Sequence, residues 1–379
     1  MSIIINIVLF AFVVSILTFI HELGHYLAAR IVKAKVLDFS IGFGPKIFSK
    51  RIKGITYNVR ILPFGGFVKI LGDGDPTDAK ERRKDKGNLK NKSKTAQIFV
   101  ILAGVTMNIL LSIILYTVFL GYNNWRMELG VDYADFKPVG AKVVKERISD
   151  IPYELADEGG ALDSGMYEKG YIASINGIDI EDSVQLVEVL EDSRSELATV
   201  YACNLDQECD FFEVILSEEG RMGVYTGYNH LVYIDYSNRK VFSGVFHSIN
   251  IVKITGEVFS SMFSTAKQTG DYSELSNTVS GPIGIYFIID YFKTLGVITF
   301  ISILADLSIS LALINLLPIP ALDGGRAVIL LIESVLRKDL NEKVEKTIIN
   351  VSFILLIFLV IVVMIKDIIN IERLQSLFG

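Results

Sequence analysis

The first hydrophobic run of this 379-residue chain, residues 3–20, lacks any charged side chain. It also lacks a basic segment before it and an A-x-A-like cleavage site after it. These absences argue against a cleaved signal peptide, and they leave a membrane-spanning helix as the interpretation.

Cysteine is nearly absent, since the chain contains only Cys203 and Cys209. The two residues bracket the sequence Asn-Leu-Asp-Gln-Glu between two β-rich runs. Without a neighbouring histidine, this spacing does not suit a metal site. A hairpin disulfide and a pair of unpaired structural cysteines both fit the pattern.

Hydrophobic residues make up 51% of the sequence, and the mean hydropathy is +0.44. Four stretches are long and apolar enough to cross a bilayer, namely 3–20, 98–120, 297–317 and 348–365. The sequence therefore predicts an α-helical polytopic membrane protein with four transmembrane helices.

Charge is segregated along the chain. Residues 30–94 contain 17 Lys/Arg and 6 Asp/Glu, whereas residues 126–240 contain 10 Lys/Arg and 24 Asp/Glu. The positive-inside rule places the basic segment in the cytoplasm, and the acidic segment and both termini then lie outside. We expect the basic segment to determine topology rather than to bind nucleic acid.

The sequence His-Glu-Leu-Gly-His occupies residues 21–25, at the end of the first hydrophobic run. On a helix, this spacing puts His21 and His25 one turn apart, and Glu22 is then placed to act on a metal-bound water. By chance the same pattern also occurs on solvated faces of soluble helices. Because ionisable groups beside lipid are costly without partners, a zinc protease site inside the membrane is the favoured reading.

A third metal ligand is expected at the same depth on another helix, because catalytic zinc is usually held by three protein side chains. Asp323 is three residues before the basic Arg326, much as His25 is five residues before Arg30. Pro318 and Pro320 interrupt regular helix nearby, which is tolerated at membrane depth only in a buried or wet site. The alternative is that Asp-Gly-Gly merely begins a loop.

Three further polar positions have competing interpretations. Asp306, inside the third hydrophobic stretch, is expected to make a buried polar contact. His230 and His247 are expected to be solvated or interfacial rather than metal ligands. Asn108 lies one turn after Gly104, so the pair serves either close helix packing or contact with a substrate.

The predicted order of segments covers most of the chain. The segments are a first transmembrane helix with the HExxH motif (1–36), a cytoplasmic-side β-rich loop and charged linker (37–94), a second transmembrane helix (95–122), a small external domain (128–226), an amphipathic interfacial helix (241–263), a third transmembrane helix with the Leu-Asp-Gly motif (296–326) and a fourth transmembrane helix (347–367).

These motifs together resemble the site-2 protease family, and most closely the bacterial RseP-type intramembrane zinc metalloproteases that regulate sigma factors. The resemblance is carried by HELGH at 21–25, Gly104 with Asn108, Ser-Gly-Pro-Ile-Gly at 280–284 and the segment 315–324. It implies one Zn²⁺ per chain bound by His21, His25 and Asp323, with Glu22 as the general base. It also implies a set of residues near the substrate, which are Asn108, Asn315, Pro318 and Pro320.

The resemblance further implies that the external domain is PDZ-like and that the loop at 37–71 is a membrane-re-entrant β-hairpin. The implied substrates are single-span membrane proteins such as anti-sigma factors, already trimmed outside by an upstream site-1-type protease, and remnant signal peptides. The implied location is the bacterial cytoplasmic membrane. The main alternative is a catalytically silent membrane scaffold bearing a PDZ domain. A zinc-dependent transporter is disfavoured, because its ionisable residues would lie near the midplane of several spans.

Overall fold

The computed structural model describes residues 2–73, 85–194 and 196–373. The chain divides into two compact units, one comprising Met1–Tyr122 and Val241–Gly379 and the other Asn123–Lys240. We call them the membrane unit and the inserted unit. The helices are α1 (Ser2–Ile31), α2 (Lys94–Tyr122), α3 (Gly160–Asp163), α4 (Ser183–Asp192), α5 (Ser243–Thr269), α6 (Ser273–Thr278), α7 (Pro282–Thr294), α8 (Val297–Leu316), α9 (Asp323–Leu336) and α10 (Glu342–Ile369).

The strands lie between α1 and α5 along the chain. They are β1 (Val36–Ile52), β2 (Ile55–Ile70), β3 (Arg126–Leu129), β4 (Lys142–Arg147), β5 (Ile151–Leu155), β6 (Lys169–Ile175), β7 (Ile178–Asp179), β8 (Leu197–Asn204), β9 (Cys209–Ile215), β10 (Val224–Thr226) and β11 (His230–Asp235).

Four helices of the described chain are long and apolar enough to cross a membrane. The candidate spans are Ile5–Ile31, Lys94–Tyr122, Val297–Leu316 and Lys343–Ile369, in α1, α2, α8 and α10. They match the four predicted hydrophobic stretches and support a multi-span membrane protein.

Close packing of α1 on α2 depends on small residues at the crossing. A Cβ atom on Gly24 would lie 2.3 Å from the carbonyl oxygen of Ala103, which is far inside van der Waals contact. The absent side chain therefore lets the two backbones approach, as in other membrane helix pairs.

The third predicted span, 296–326, is two helices with a break between them. Helix α8 ends at Leu316, and α9 begins at Asp323. Pro318 and Pro320 lie in the break, since proline removes a helical hydrogen-bond donor and clashes with the preceding turn. The Leu-Asp-Gly motif thus begins a separate helix rather than ending the span.

The β1–β2 hairpin folds back on itself instead of forming a flat two-stranded ribbon. Residues 40 and 41 of β1 lie between two parts of β2. They pair with Phe67 and Gly66 on one side, and with Asn58 and Val59 on the other. Phe39 packs edge-on against Phe19 and Tyr26 of α1, which fixes the base of the hairpin on that helix. The distal part exposes large apolar side chains, including Phe43, Ile47, Phe48, Ile61 and Leu62.

The inserted unit contains two antiparallel sheets. One has the strand order β10-β5-β6-β8-β9 with β7 paired to β6, and the other has the order β3-β11-β4. The first sheet and α4 enclose a core that includes Ile151, Ile172, Leu186 and Val200. Helix α4 is capped by Asp182, whose side chain accepts from the amides of residues 184 and 185.

Cys203 and Cys209 form a disulfide across the β8–β9 hairpin, where the two residues are paired in register. Of the two open possibilities for these cysteines, the structure therefore shows the bridged one. The β8–β9 turn residues between them are exposed.

Helix α5 corresponds to the predicted amphipathic segment 241–263 and extends beyond it, to Thr269. His247 is 1% exposed and its ring stacks edge-on against Tyr116 of α2 at 4.6 Å. The expectation of a solvated or interfacial His247 is therefore wrong, because α5 packs this side chain against α2. His230, on β11, is half-buried beside Asn229.

Candidate active site

Two histidines of α1 point towards one another and towards α9. The Nε2 atoms of His21 and His25 are 3.2 Å apart, as expected for residues one helical turn apart on the same face. His25 Nδ1 lies 2.8 Å from the carbonyl oxygen of Val100. Because a carbonyl can only accept, Nδ1 carries the proton, and Nε2 is left as an electron-pair donor towards the centre of the site.

Asp323 completes the group from the first turn of α9. Its Oδ2 lies 3.0 Å from Nε2 of His21 and 3.3 Å from Nε2 of His25. Potential ligand atoms of the three residues all lie within 4.8 Å of one another. A carboxylate and two imidazoles that converge in this way form the donor set that zinc prefers, so the residues fit the metal.

Glycine opposite the histidines keeps the centre open. A Cβ atom at Gly104 of α2 would lie 2.5 Å from Nε2 of His25 and 2.7 Å from Nε2 of His21. The absence of a side chain at this position is therefore a requirement of the site as well as of helix packing.

The turn before α9 is equally constrained by glycine. Cβ atoms at Gly324 and Gly325 would lie 2.1 Å from the carbonyl oxygens of Leu316 and Ile319, respectively. Only glycine lets the segment between α8 and α9 fold over the start of α9, so the Asp-Gly-Gly sequence is what brings Asp323 to the histidines.

The residues predicted to lie near a substrate are dispersed. Asn108 is fully buried, and its Nδ2 lies 3.4 Å from Nδ1 of His21. Asn315 is half-buried in the last turn of α8, Pro318 is exposed and Pro320 is half-buried. Asn108 thus contacts a histidine of the centre, whereas the other three border the break between α8 and α9.

Glu22 lies beside the three-residue centre but contacts a different element. Its Oε2 accepts a hydrogen bond of 2.8 Å from the backbone amide of Val68 in β2. The sequence predicted no role for Val68, because a backbone donor leaves no signature in the identity of a residue.

The spanning helices and the His–His–Asp centre define a membrane-embedded zinc metallopeptidase, and comparison with known proteins gives its family. The sequence profile of Peptidase family M50 matches residues 9–359, so this chain belongs to that family, the site-2 proteases. It is a zinc-dependent metalloprotease of the site-2 type and a bacterial membrane protein.

Related proteins align over almost the whole chain. A protein of Clostridium perfringens, provisionally named a zinc metalloprotease, is 32% identical over 357 residues, covering 94% of this chain and 96% of its own. The Bacillus subtilis protein named "Regulator of sigma-W protease RasP" is 27% identical over 422 residues, covering 94% and 97%. A Bacillus licheniformis protein named "Zinc metalloprotease RasP" is 28% identical over 421 residues, also covering 94% and 97%.

Proposed function

We propose that this protein cleaves the transmembrane segments of single-span membrane proteins inside the bilayer, as a step of regulated intramembrane proteolysis. The observation that carries the proposal is the convergence of His21, His25 and Asp323 beside Glu22, at the end of a helix long enough to span a membrane. The name of the Bacillus subtilis relative, "Regulator of sigma-W protease RasP", supports substrates of the anti-sigma-factor kind. The resemblance to the site-2 protease family adds that an upstream site-1-type protease trims these substrates beforehand. Remnant signal peptides are a second substrate class.

Each polar residue of the centre has a distinct role in this proposal. His21, His25 and Asp323 hold one zinc ion, which when bound supplies Lewis-acid polarisation of carbonyl and water oxygens. Glu22 accepts a proton from the attacking water on a carboxylate oxygen and then delivers it to the nitrogen of the leaving amine.

A helical substrate hides its carbonyl groups in hydrogen bonds, so it must unwind before cleavage. The β1–β2 hairpin is the element that receives the unwound segment, by pairing an edge strand with the freed backbone. The exposed apolar side chains of its distal part, such as Phe43, Phe48 and Leu62, support contact with lipid or with an apolar substrate. Asn315, Pro318 and Pro320 border the path of the substrate, and Asn108 supports the site from within.

The inserted unit is outside the cytoplasm in this proposal, and segment 128–226 is a PDZ-like domain. Its acidic composition and the disulfide between Cys203 and Cys209 support an oxidising external compartment. Its six-stranded antiparallel sheet with α4 packed on the core supports a small peptide-binding fold.

The test is a comparison of membrane proteomes between wild type and Glu22→Gln. Glutamine has the same size as glutamate but is uncharged and cannot act as a base. Trimmed single-span stubs should therefore accumulate in the variant. Glu188→Gln, an exposed glutamate of α4 in the inserted unit, is the matched control.

Purified Glu22→Gln protein keeps its zinc and loses turnover of a model transmembrane substrate, because Glu22 is a base rather than a ligand. Near-normal turnover would contradict this mechanism. If no stub accumulates and wild-type protein shows no turnover, the alternative of a catalytically silent scaffold is favoured.

A further inference from the structure

The contact between Glu22 and Val68 lies at an edge of the hairpin sheet. Residues 66–70 of β2 pair with residues 36–41 of β1 on one side only. Within the part of the chain that the structure describes, the other side of this segment has no strand partner and faces α1. The amide of Val68 points out of the sheet there, and the 2.8 Å bond to Oε2 of Glu22 satisfies it.

Two further contacts hold this edge of the hairpin against α1. The side chain of Val68 packs on a buried cluster that includes Ala28, Ala29 and Val100. The hydroxyls of Tyr26 in α1 and Tyr57 in β2 lie 3.0 Å apart.

The end of the hairpin is also tied to the helix that carries Asp323. Asp73, three residues after β2, forms an ion pair with Arg326 in the first turn of α9. The segment 66–73 therefore contacts both the helix of the general base and the helix of the third ligand.

We propose that the backbone amide of Val68 positions the carboxylate of Glu22 for proton transfer, so that the hairpin takes part in catalysis as well as receiving the substrate. The proposal rests on the role of Glu22 as general base given under Proposed function. A glutamate side chain has three rotatable bonds, and a charge-assisted hydrogen bond to one oxygen holds it in one orientation. The second oxygen is then available to receive the proton.

The first experiment removes the donor. Val68→Pro deletes the N–H without breaking a sheet hydrogen bond, because this amide is bonded to Glu22 rather than to β1. Val68→Ala keeps the amide and measures the cost of losing the side chain. We expect kcat of the proline variant to be about tenfold or more below that of the alanine variant, with KM within about twofold.

The second experiment detects the contact without using turnover. Hydrogen–deuterium exchange of the zinc-loaded protein in detergent is compared between Glu22→Ala, which removes the acceptor, and Glu22→Gln, which keeps an amide oxygen. We expect the amide of Val68 to exchange faster in Glu22→Ala by about tenfold, with the amides of 56–59 unchanged and equal zinc contents. This comparison stands even if the proline variant does not fold.

Equal exchange at Val68 in the two Glu22 variants would overturn the proposal, since the amide would then have no bond to Glu22. A raised KM with unchanged kcat in Val68→Pro would also overturn it, because the donor would then serve the substrate. Near-normal turnover of Glu22→Gln would instead contradict the general-base role, while the exchange result would still report on the contact.

Discussion

The hydroxyl of Tyr116 in α2 donates a hydrogen bond to the carboxylate of Asp306 in α8, inside the membrane unit. This relationship confirms the polar contact expected for Asp306, and its buried partner is Tyr116, whereas Asp306 itself is half-buried. The hydrogen bond joins two of the candidate spans, α2 and α8. An acid within a span requires such a partner, because an unsatisfied charged group is costly there.

We expect Tyr116→Phe to lower the free energy of unfolding by about 1–3 kcal/mol, because it removes the hydrogen-bond donor and leaves the carboxyl group of Asp306 unsatisfied. Tyr122→Phe, at the exposed end of α2, is the matched control and should change little. Thermal unfolding in detergent measures both, and zinc content should stay the same. Equal melting temperatures for the two variants would show that the bond contributes nothing.

Asp323→Ala should clearly weaken zinc binding, because the two histidines would be left without the carboxylate 3.0 Å from His21. Elemental analysis should give about one zinc per wild-type chain and much less for the variant. Asp206→Ala, at an exposed position of the inserted unit, should bind zinc normally. Undiminished zinc in Asp323→Ala would mean that the third ligand lies elsewhere.

A pair of glycine-to-alanine changes tests the space in front of the histidines. Gly104→Ala places a methyl group 2.5 Å from Nε2 of His25, so zinc binding and turnover should both fall strongly. At Gly256 of α5 a Cβ would meet nothing within 4 Å. Gly256→Ala should therefore be neutral or stabilise by up to about 1 kcal/mol through helix propensity. Normal zinc content in Gly104→Ala would show that the site tolerates a side chain there.

Burial lowers the pKa of His247 to about 4. The folded state therefore takes up this proton less readily than the unfolded state, whose histidine pKa is about 6.5. As pH falls from about 6.5 to 4, protonation of His247 lowers the free energy of unfolding by up to about 1.4 kcal/mol per pH unit. Above this pH range, His247 has no effect on the free energy of unfolding. Asp306, which accepts a hydrogen bond from Tyr116, is unchanged in wild type and in the His247 variant.

Thermal unfolding between pH 7.5 and 4.5, a range that includes the ordinary histidine pKa of about 6.5, measures how His247 changes stability with pH. His247→Gln should lose stability less steeply on acidification than wild type. Parallel pH curves for wild type and His247→Gln would show that His247 does not cause the acid sensitivity.

Much of this fold could be predicted from local patterns. The four apolar stretches gave the four candidate spans, because a span must satisfy its backbone internally and so has a clear hydropathy signature. The turn at Asn176 and Gly177 between β6 and β7 was likewise predictable, since both residues adopt positive φ. The convergence of His21, His25 and Asp323 followed from matching their depths relative to basic residues.

Other features depend on distant contacts that no local pattern reports. Strand β11 lies outside every predicted segment, because its partners β3 and β4 are 83–109 residues earlier in the chain. His247 looked solvated because its own helix is amphipathic, but Tyr116 covers it. The bond from Val68 to Glu22 uses a backbone group, which any residue except proline could supply.

The last prediction concerns the orientation of the protein across the membrane. Segregated charge predicts that Glu188, which is exposed on α4, faces the exterior of the cell and that Lys84 faces the cytoplasm. Lys84 is not among the residues that the structure describes. Single cysteines are introduced as Glu188→Cys or Lys84→Cys in a background with serine at positions 203 and 209. An impermeant thiol reagent applied to intact cells should label only position 188, and both positions should be labelled after lysis. Labelling at position 84 in intact cells would reverse the orientation. It would also place the disulfide of the inserted unit in the reducing cytoplasm, where such bridges are rare.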